Sequence, residues 1–266
     1  MSELKYNIFE NALDSIDHGI HHFFSSEKYP NYKGKNYKYS ILHTIQGIEL
    51  LMKEKLYRVN PSLIYANIDR PINDDSLTVN FKALPQRLLN CGVQLSDSWL
   101  KTIEEGRRVR NRIEHKDVSF TLRETQLLLG RIFKLIIEFA RNELKVELKD
   151  HLQGDVYEEL IRQINFFDEI IRHAEENAKE YATEIENTGV SVDIWACPKC
   201  QAKTIVVSTK KTKTILYSEE CKMCKSKIYF VRCSYCGKLY LSTEKDSVFF
   251  FCDSTCRWGF EVAYGF

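Results

Sequence analysis

A mainly α-helical bundle followed by small, cysteine-pinned β modules is the fold class that this 266-residue sequence predicts, on three observations. Apolar residues recur every three or four positions through most of residues 1–190. The recurrence then shortens to two. Eight of the nine cysteines fall between 197 and 256, in the close-set pairs CPKC, CKMC, CSYC and CDSTC.

Leu4, Ile8, Ala12, Ile16 and Ile20 stand four apart and predict a first amphipathic helix. The polar, tyrosine-rich stretch SSEKYPNYKGKNYKYS is expected to interrupt it as a loop. A second helix starts with YSILHT, lines up Ile41, Ile45, Ile48, Leu51 and Met52, and stops at Asn60-Pro61, because the residue before a proline avoids helical geometry. Pro71, Pro85 and INDDS predict short helices and loops over 61–95. Ser96 or Asp97 caps a third helix through WLKTIEEGRRVRNRIEH. The capping box TLRE at Thr121–Glu124 opens a fourth. Cys91, alone in LLNCGVQL, reads as a small buried hydrophobe.

From Val156 to Ile185 the positions Leu160, Ile164, Phe167, Ile171, Ala174, Ala178, Tyr181 and Ile185 form a heptad seam on a long helix. Its alanines favour packing within the chain over a strong coiled coil. Gly189 closes it. Thereafter TIVVST and TKTILYS flank a Lys-Lys turn, and KIYFVR and KLYLS follow, so short hairpins are expected. The domains are therefore a helical one over 1–150, a connecting helix over 151–190, and cysteine modules over 191–230 and 231–266.

Residues 191–266 carry 12 Lys/Arg against 7 Asp/Glu, whereas the remainder carries 26 against 30. A mildly acidic body thus precedes a basic tail. The start has no secretory signature and no stretch approaches the 18 or more apolar residues of a membrane span, so a cytoplasmic protein without membrane attachment is expected.

In such a compartment, paired cysteines indicate metal ligation rather than disulfides. A CxxC turn presents two thiolates from one knuckle, and two knuckles complete the tetrahedron zinc requires. Cys197, Cys200, Cys221 and Cys224 fit a zinc ribbon, and Cys233, Cys236, Cys252 and Cys256 a second site. A cross-brace joining first with third and second with fourth knuckles is the alternative pairing. Two Zn2+ ions in closed four-thiolate shells would be structural. The last segment, FFFCDSTCRWGFEV, resembles the FCSxxC treble-clef fingers of the MYM and TRASH type, with Asp253 where that pattern has serine. Lys203, Lys210, Lys211 and Lys213 on one hairpin near Tyr217 are candidates for a nucleic-acid backbone, although two zinc-thiolate clusters would remove most of the tail's positive charge.

The remaining cluster is RVRNRIEH, residues 108–115. It combines an arginine followed by a polar residue, R-x4-H spacing from Arg110 to His115, a position late in the third helix, and a preceding helix, ILHTIQGIELLMKEKL, with Glu49 embedded in its apolar run. This combination resembles the HEPN superfamily of helical bundles over about residues 1–150. The resemblance implies an endoribonuclease that needs no metal for cleavage and acts as a homodimer, with RNA as partner. Such proteins serve as toxins or antiviral defence effectors, which makes an antitoxin or other protein a further partner. Carried over, His115 is the general acid or base, Arg110 stabilises the phosphate and Asn111 orients the pair. Arg108, at x6 spacing, and Glu49 are supporting candidates. The chemistry suits these types: imidazole moves protons in both directions near neutrality, and guanidinium clamps two phosphate oxygens.

On an unbroken helix, however, Arg110 and His115 lie about 140° apart, while Arg108, Asn111, Arg112 and His115 form one polar stripe. Either the helix breaks or the arginine reaches round. Stripes paired across a two-fold would make one basic cleft. A bland alternative is a helix end whose arginines pair with Glu104, Glu105 and Glu114, the helical half merely dimerising a noncatalytic nucleic-acid-binding or adaptor protein. Glu49 with Lys53 reads more readily as a surface pair than as a site residue, and His21, His22 and His43 as ordinary surface or loop residues.

Overall fold

The first helix begins where the chain offers a cap. In the computed structural model, which describes residues 5–73, 75–116, 119–208, 217–242, 251–252 and 254–264, Asn7 accepts from the Glu10 amide at 2.8 Å and Glu10 returns the bond at 3.0 Å. This capping box satisfies two otherwise orphaned donors of helix α1, Ile8–Lys28. Ala12, Ile16, Ile20 and Phe23 form its buried face.

The tyrosine-rich stretch is not a long loop. Helix α1 continues to Lys28, a single 3-10 turn spans Pro30–Tyr32, and α2 already starts at Lys33 and runs to Val59. Burial decides this: Tyr37 packs edge-on against Phe23 with ring centroids 5.8 Å apart, so a segment polar in composition still owns an apolar face. The stop at Asn60-Pro61 holds, with Asn60 capping the following 3-10 turn.

Helices α1 and α2 touch through glycines. A Cβ on Gly19 would lie 2.5 Å from Thr44 Cγ2, and one on Gly47 equally close to Ile16 Cγ1, so any larger residue forces the pair apart. Helix α2 also meets α3 (Leu84–Asn90), α4 (Asp97–His115) and α5 (Leu122–Phe139). It is the central element of the bundle. Ile45, Leu51, Met52, Leu129, Phe133 and Ile136 are almost wholly buried; each such side chain contributes about 1.5–3 kcal/mol. Ser96 caps α4 and the Thr121–Glu124 box caps α5, as expected. Cys91 is half-exposed rather than buried, because it lies just past the end of α3.

The chain divides into compact units Met1–Phe166 and Phe167–Phe266, so the division falls inside helix α6, Gly154–Glu186, rather than at either end of it. Along α6, Val156, Leu160, Ile164, Phe167 and Ala178 are buried, as the heptad expected. Tyr181 is exposed and Ala182 buried in its place, the drift of a 3.6-residue helix against a strict seven-residue repeat. Gly189 adopts φ 76° beyond the helix end.

In the second unit β1 (Val192–Ala196) pairs antiparallel with β2 (Lys203–Ser208), and β3 (Tyr217–Glu220), β4 (Lys227–Arg232) and β5 (Leu239–Ser242) form an antiparallel meander. Helix α7, Ser254–Tyr264, follows. The described strands lie at expected positions, and TIVVS pairs with the preceding VDIWA across the first cysteine knuckle; the Lys-Lys turn and most of TKTILYS lie outside the described residues. No described helix is long and apolar enough to cross a membrane.

Candidate functional site

Each of three knuckles follows one backbone plan. Cys197–Cys200 lies between β1 and β2, Cys221–Cys224 between β3 and β4, and Cys233–Cys236 between β4 and β5. In each, the first cysteine's carbonyl accepts from the residue after the second cysteine, at 2.8–3.0 Å, through Gln201, Lys225 and Gly237. These three residues have φ of 66°, 60° and 71°. Left-handed backbone is free of strain only for the glycine, and its repetition at Gln201 and Lys225 marks backbone held in place by the cluster it surrounds.

The knuckles gather the thiols in sequence order. Cys197, Cys200, Cys221 and Cys224 form one group and Cys233, Cys236, Cys252 and Cys256 the other, with all sulfurs of a group within 4.8 Å of one another. A cross-brace is thereby set aside. Zinc–sulfur bonds of about 2.3 Å in a tetrahedron place sulfurs about 3.8 Å apart. The measured separations are 3.8 Å for Cys197–Cys224, 3.5 Å for Cys200–Cys221, 3.7 Å for Cys236–Cys252 and 3.5 Å for Cys252–Cys256. Both groups can hold a zinc ion.

Around the first group, the buried Thr204 hydroxyl lies 3.1 Å from Cys221 Sγ and the Cys224 amide donates to the same sulfur. Such bonds stabilise and orient a thiolate. In the second group, burial opposes the Cys233 thiolate, but the backbone amides of Cys236 and Cys252 outweigh it and bring its pKa down to about 6. All four members of the first group are buried; in the second, Cys236 is exposed and Cys252 and Cys256 half-exposed. A zinc ion in either closed four-sulfur shell would have no position left for substrate and would be structural in kind. Lys203 is exposed on β2, while Lys210, Lys211 and Lys213 lie outside the described residues.

The RVRNRIEH cluster occupies the last turns of α4, which stays helical through His115; Lys116 ends it by donating to the Arg112 carbonyl. There is no break before the histidine. Thr102, Ile103, Gly106 and Val109 face the core. Arg108, Asn111, Arg112 and His115 face solvent together, uncovered by the described chain. Asn111 and His115 have no side-chain bond among the described residues. The Arg112 guanidinium stacks 4.9 Å above the Phe120 ring.

Arg110 points another way, toward α2. Its Nη1 donates to Glu49 at 2.7 Å and its Nε to Glu114 at 3.1 Å, and Lys53 binds the second Glu49 oxygen at 2.9 Å. Burial works against the Arg110 charge, but the bond to Glu114 and the charge of Glu49 outweigh it, so its pKa is raised and the guanidinium stays charged. Its Nη2 edge is not engaged among the described residues. Glu104 takes Arg107 and Arg108, and Glu105 takes Arg131. Burial pushes the Glu104 pKa up, and those two arginines more than reverse it. Within one chain, then, the fold joins Arg110 to Glu49 and joins Arg108, Asn111 and His115 on a separate face; it does not join Arg110 to His115.

Glu49, expected more readily as a surface pair, is 14% exposed and ties α2 to α4. We expect Glu49→Gln to leave Arg110 with half its counter-charge and to destabilise the helical unit by about 1–2 kcal/mol, as for a partly buried pair losing one partner. Thermal melting followed by circular dichroism at 222 nm checks this, and an unchanged midpoint contradicts it.

Comparison with known protein families, curated proteins and solved structures returned no match for this chain.

Proposed function

We propose that this protein is a metal-independent endoribonuclease of the HEPN type, active as a cytoplasmic homodimer, whose zinc modules recruit RNA or a protein partner. The observation that carries the proposal is the uncovered stripe of Arg108, Asn111, Arg112 and His115, beside an arginine held charged at Glu49 and Glu114. A cationic stripe that the described residues leave open suits a phosphate backbone and a second copy of itself. Toxin or antiviral defence work, with an antitoxin as partner, follows from the resemblance and belongs to the same proposal.

In this reaction His115 takes the proton of a ribose 2′-OH, whose oxygen attacks the adjacent phosphorus. The bond from phosphorus to the 5′-oxygen breaks, and that oxygen takes up a proton. Arg110 and Arg108 offset the charge gathering on the phosphoryl oxygens. The products are a 2′,3′-cyclic phosphate and a 5′-OH, and DNA, lacking the hydroxyl, is resistant. The test is cleavage of single-stranded RNA and of the matching DNA in Mg2+-free buffer, with end analysis. Cut RNA bearing cyclic-phosphate ends and intact DNA support the proposal. Cleaved DNA, or no cleavage by folded, dimeric, zinc-loaded protein, opposes it.

A second reading is a noncatalytic nucleic-acid-binding or adaptor protein whose helical unit dimerises. It is favoured by the contacts of Arg110, since an arginine spanning two carboxylates pins helices without any chemistry. RNA binding with steep salt dependence but no cleavage supports this reading.

A further inference from the structure

Three of the four arginines near the end of α4 are taken up by carboxylates, and the fourth is not. Arg107 and Arg108 share Glu104, and Arg110 spans Glu49 and Glu114. Arg112 meets no carboxylate among the described residues. Its guanidinium lies instead over the Phe120 ring, 4.9 Å from the centroid. The two kinds of contact differ in what they leave over. A carboxylate occupies the N–H fork of an arginine, whereas an aromatic ring covers the flat face of the guanidinium and leaves the N–H groups in its plane open to another acceptor. Phe120 is half-buried and immediately precedes Thr121, the cap of α5, so the backbone beside the ring is held by a helix start.

We infer that Arg112, held flat against Phe120, is the residue of the α4 stripe that grips an RNA phosphate, on the same face of the same protomer as Asn111 and His115.

This rests on the reading of RNA as partner of the stripe, but not on cleavage. Position supports it. Arg112 and His115 stand three apart on an unbroken helix, about 60° from one another around the axis and with Cβ atoms about 5–6 Å apart. A phosphate bound at Arg112 is therefore within reach of His115 of the same chain, whereas Arg110 points to α2. Binding also costs Arg112 no ion pair, while Arg108 would have to share its fork with Glu104. A bidentate arginine matches the paired oxygens of a phosphodiester.

The test is binding of a short single-stranded 2′-O-methyl RNA, which 2′-OH attack cannot cut, to the full zinc-loaded chain, followed by fluorescence anisotropy over a series of salt concentrations. Arg112→Gln should weaken binding about tenfold or more and make the dependence of log K on log salt shallower by about 0.7, the share of one single-strand phosphate, with circular dichroism unchanged. Phe120→Leu keeps apolar bulk but removes the ring face. It should weaken binding about two- to fivefold in the wild type and have no further effect beside Arg112→Gln, because the ring acts through that arginine. Lys82→Gln, which removes one exposed charge outside α4, should change neither quantity. Binding through Arg112 without cleavage of unmodified RNA supports the assignment and opposes the nuclease reading alone. A wild type that does not bind the RNA overturns the assignment. So does full affinity in Arg112→Gln, an equal loss in Lys82→Gln, or an effect of Phe120→Leu that persists undiminished beside Arg112→Gln.

Discussion

Exchanging Cys221 for serine is expected to dissolve the β1–β2 and β3–β4–β5 module while leaving the helical unit folded. Cys221 Sγ sits against Cys200, Thr204 and the Cys224 amide, and the residue is wholly buried. The apolar core near it is thin. Ile205, Val207, Met223, Ile228, Phe230 and Val231 are its principal members, and the cysteines are much of the rest. At about 1.5–3 kcal/mol each, so few side chains fall short of the roughly 1–2 kcal/mol per residue that ordering the backbone costs. A zinc ion held by four thiolates supplies about 10–16 kcal/mol in small peptides of this kind, enough to decide whether the module folds.

Trp195 reports the outcome, because its ring packs edge-on against Phe230, centroids 5.9 Å apart, linking β1 to β4. In Cys221→Ser the near-ultraviolet signal of Trp195 should vanish, and trypsin should cut within 199–232 while the segment 1–166 survives. The more exposed second group should yield its ion to a chelator first. A Cys221→Ser protein that keeps the Trp195 signal and resists trypsin would falsify the structural role of this cluster.

What could be read from the sequence was whatever one element settles by itself. Ser96 and the Thr121–Glu124 box begin their helices because a cap needs only neighbours along the chain. The cysteine knuckles are local in the same sense. What the sequence concealed depends on a second element. β1, only five residues long and ending against Cys197, carries too little alternation to announce itself. The early start of α2 rests on Tyr37 finding Phe23. Glu49 and Arg110, 61 residues apart, become partners only through the crossing of α2 and α4. A periodic pattern tells which face of a helix is apolar and leaves open which partner that face meets.

That distinction bears on the proposed nuclease. Helix α4 is unbroken, so Arg110 and His115 of one chain diverge by about 140°, and Arg110 is committed to Glu49 and Glu114. Loss of the proton-transfer group in His115→Ala should lower RNA cleavage by about 10²–10⁴-fold, with zinc content and oligomeric state unchanged. Arg110→Gln, which keeps a hydrogen-bonding side chain near Glu49 but removes the charge, should be similarly impaired. The divergence gives the two variants a joint prediction. If each site takes its arginine from one protomer and its histidine from the partner, mixing equal amounts of the two inactive variants with subunit exchange rebuilds one intact site in every mixed dimer. Half the dimers are then mixed, and activity returns to about one quarter of wild type. Were both groups drawn from the same chain, every site in the mixture would lack one of them, and the activity would stay at the level of the separate variants. Recovery, measured as the initial rate of RNA cleavage after exchange, therefore tests at once whether these residues catalyse and whether the geometry of α4 forces the site to be shared.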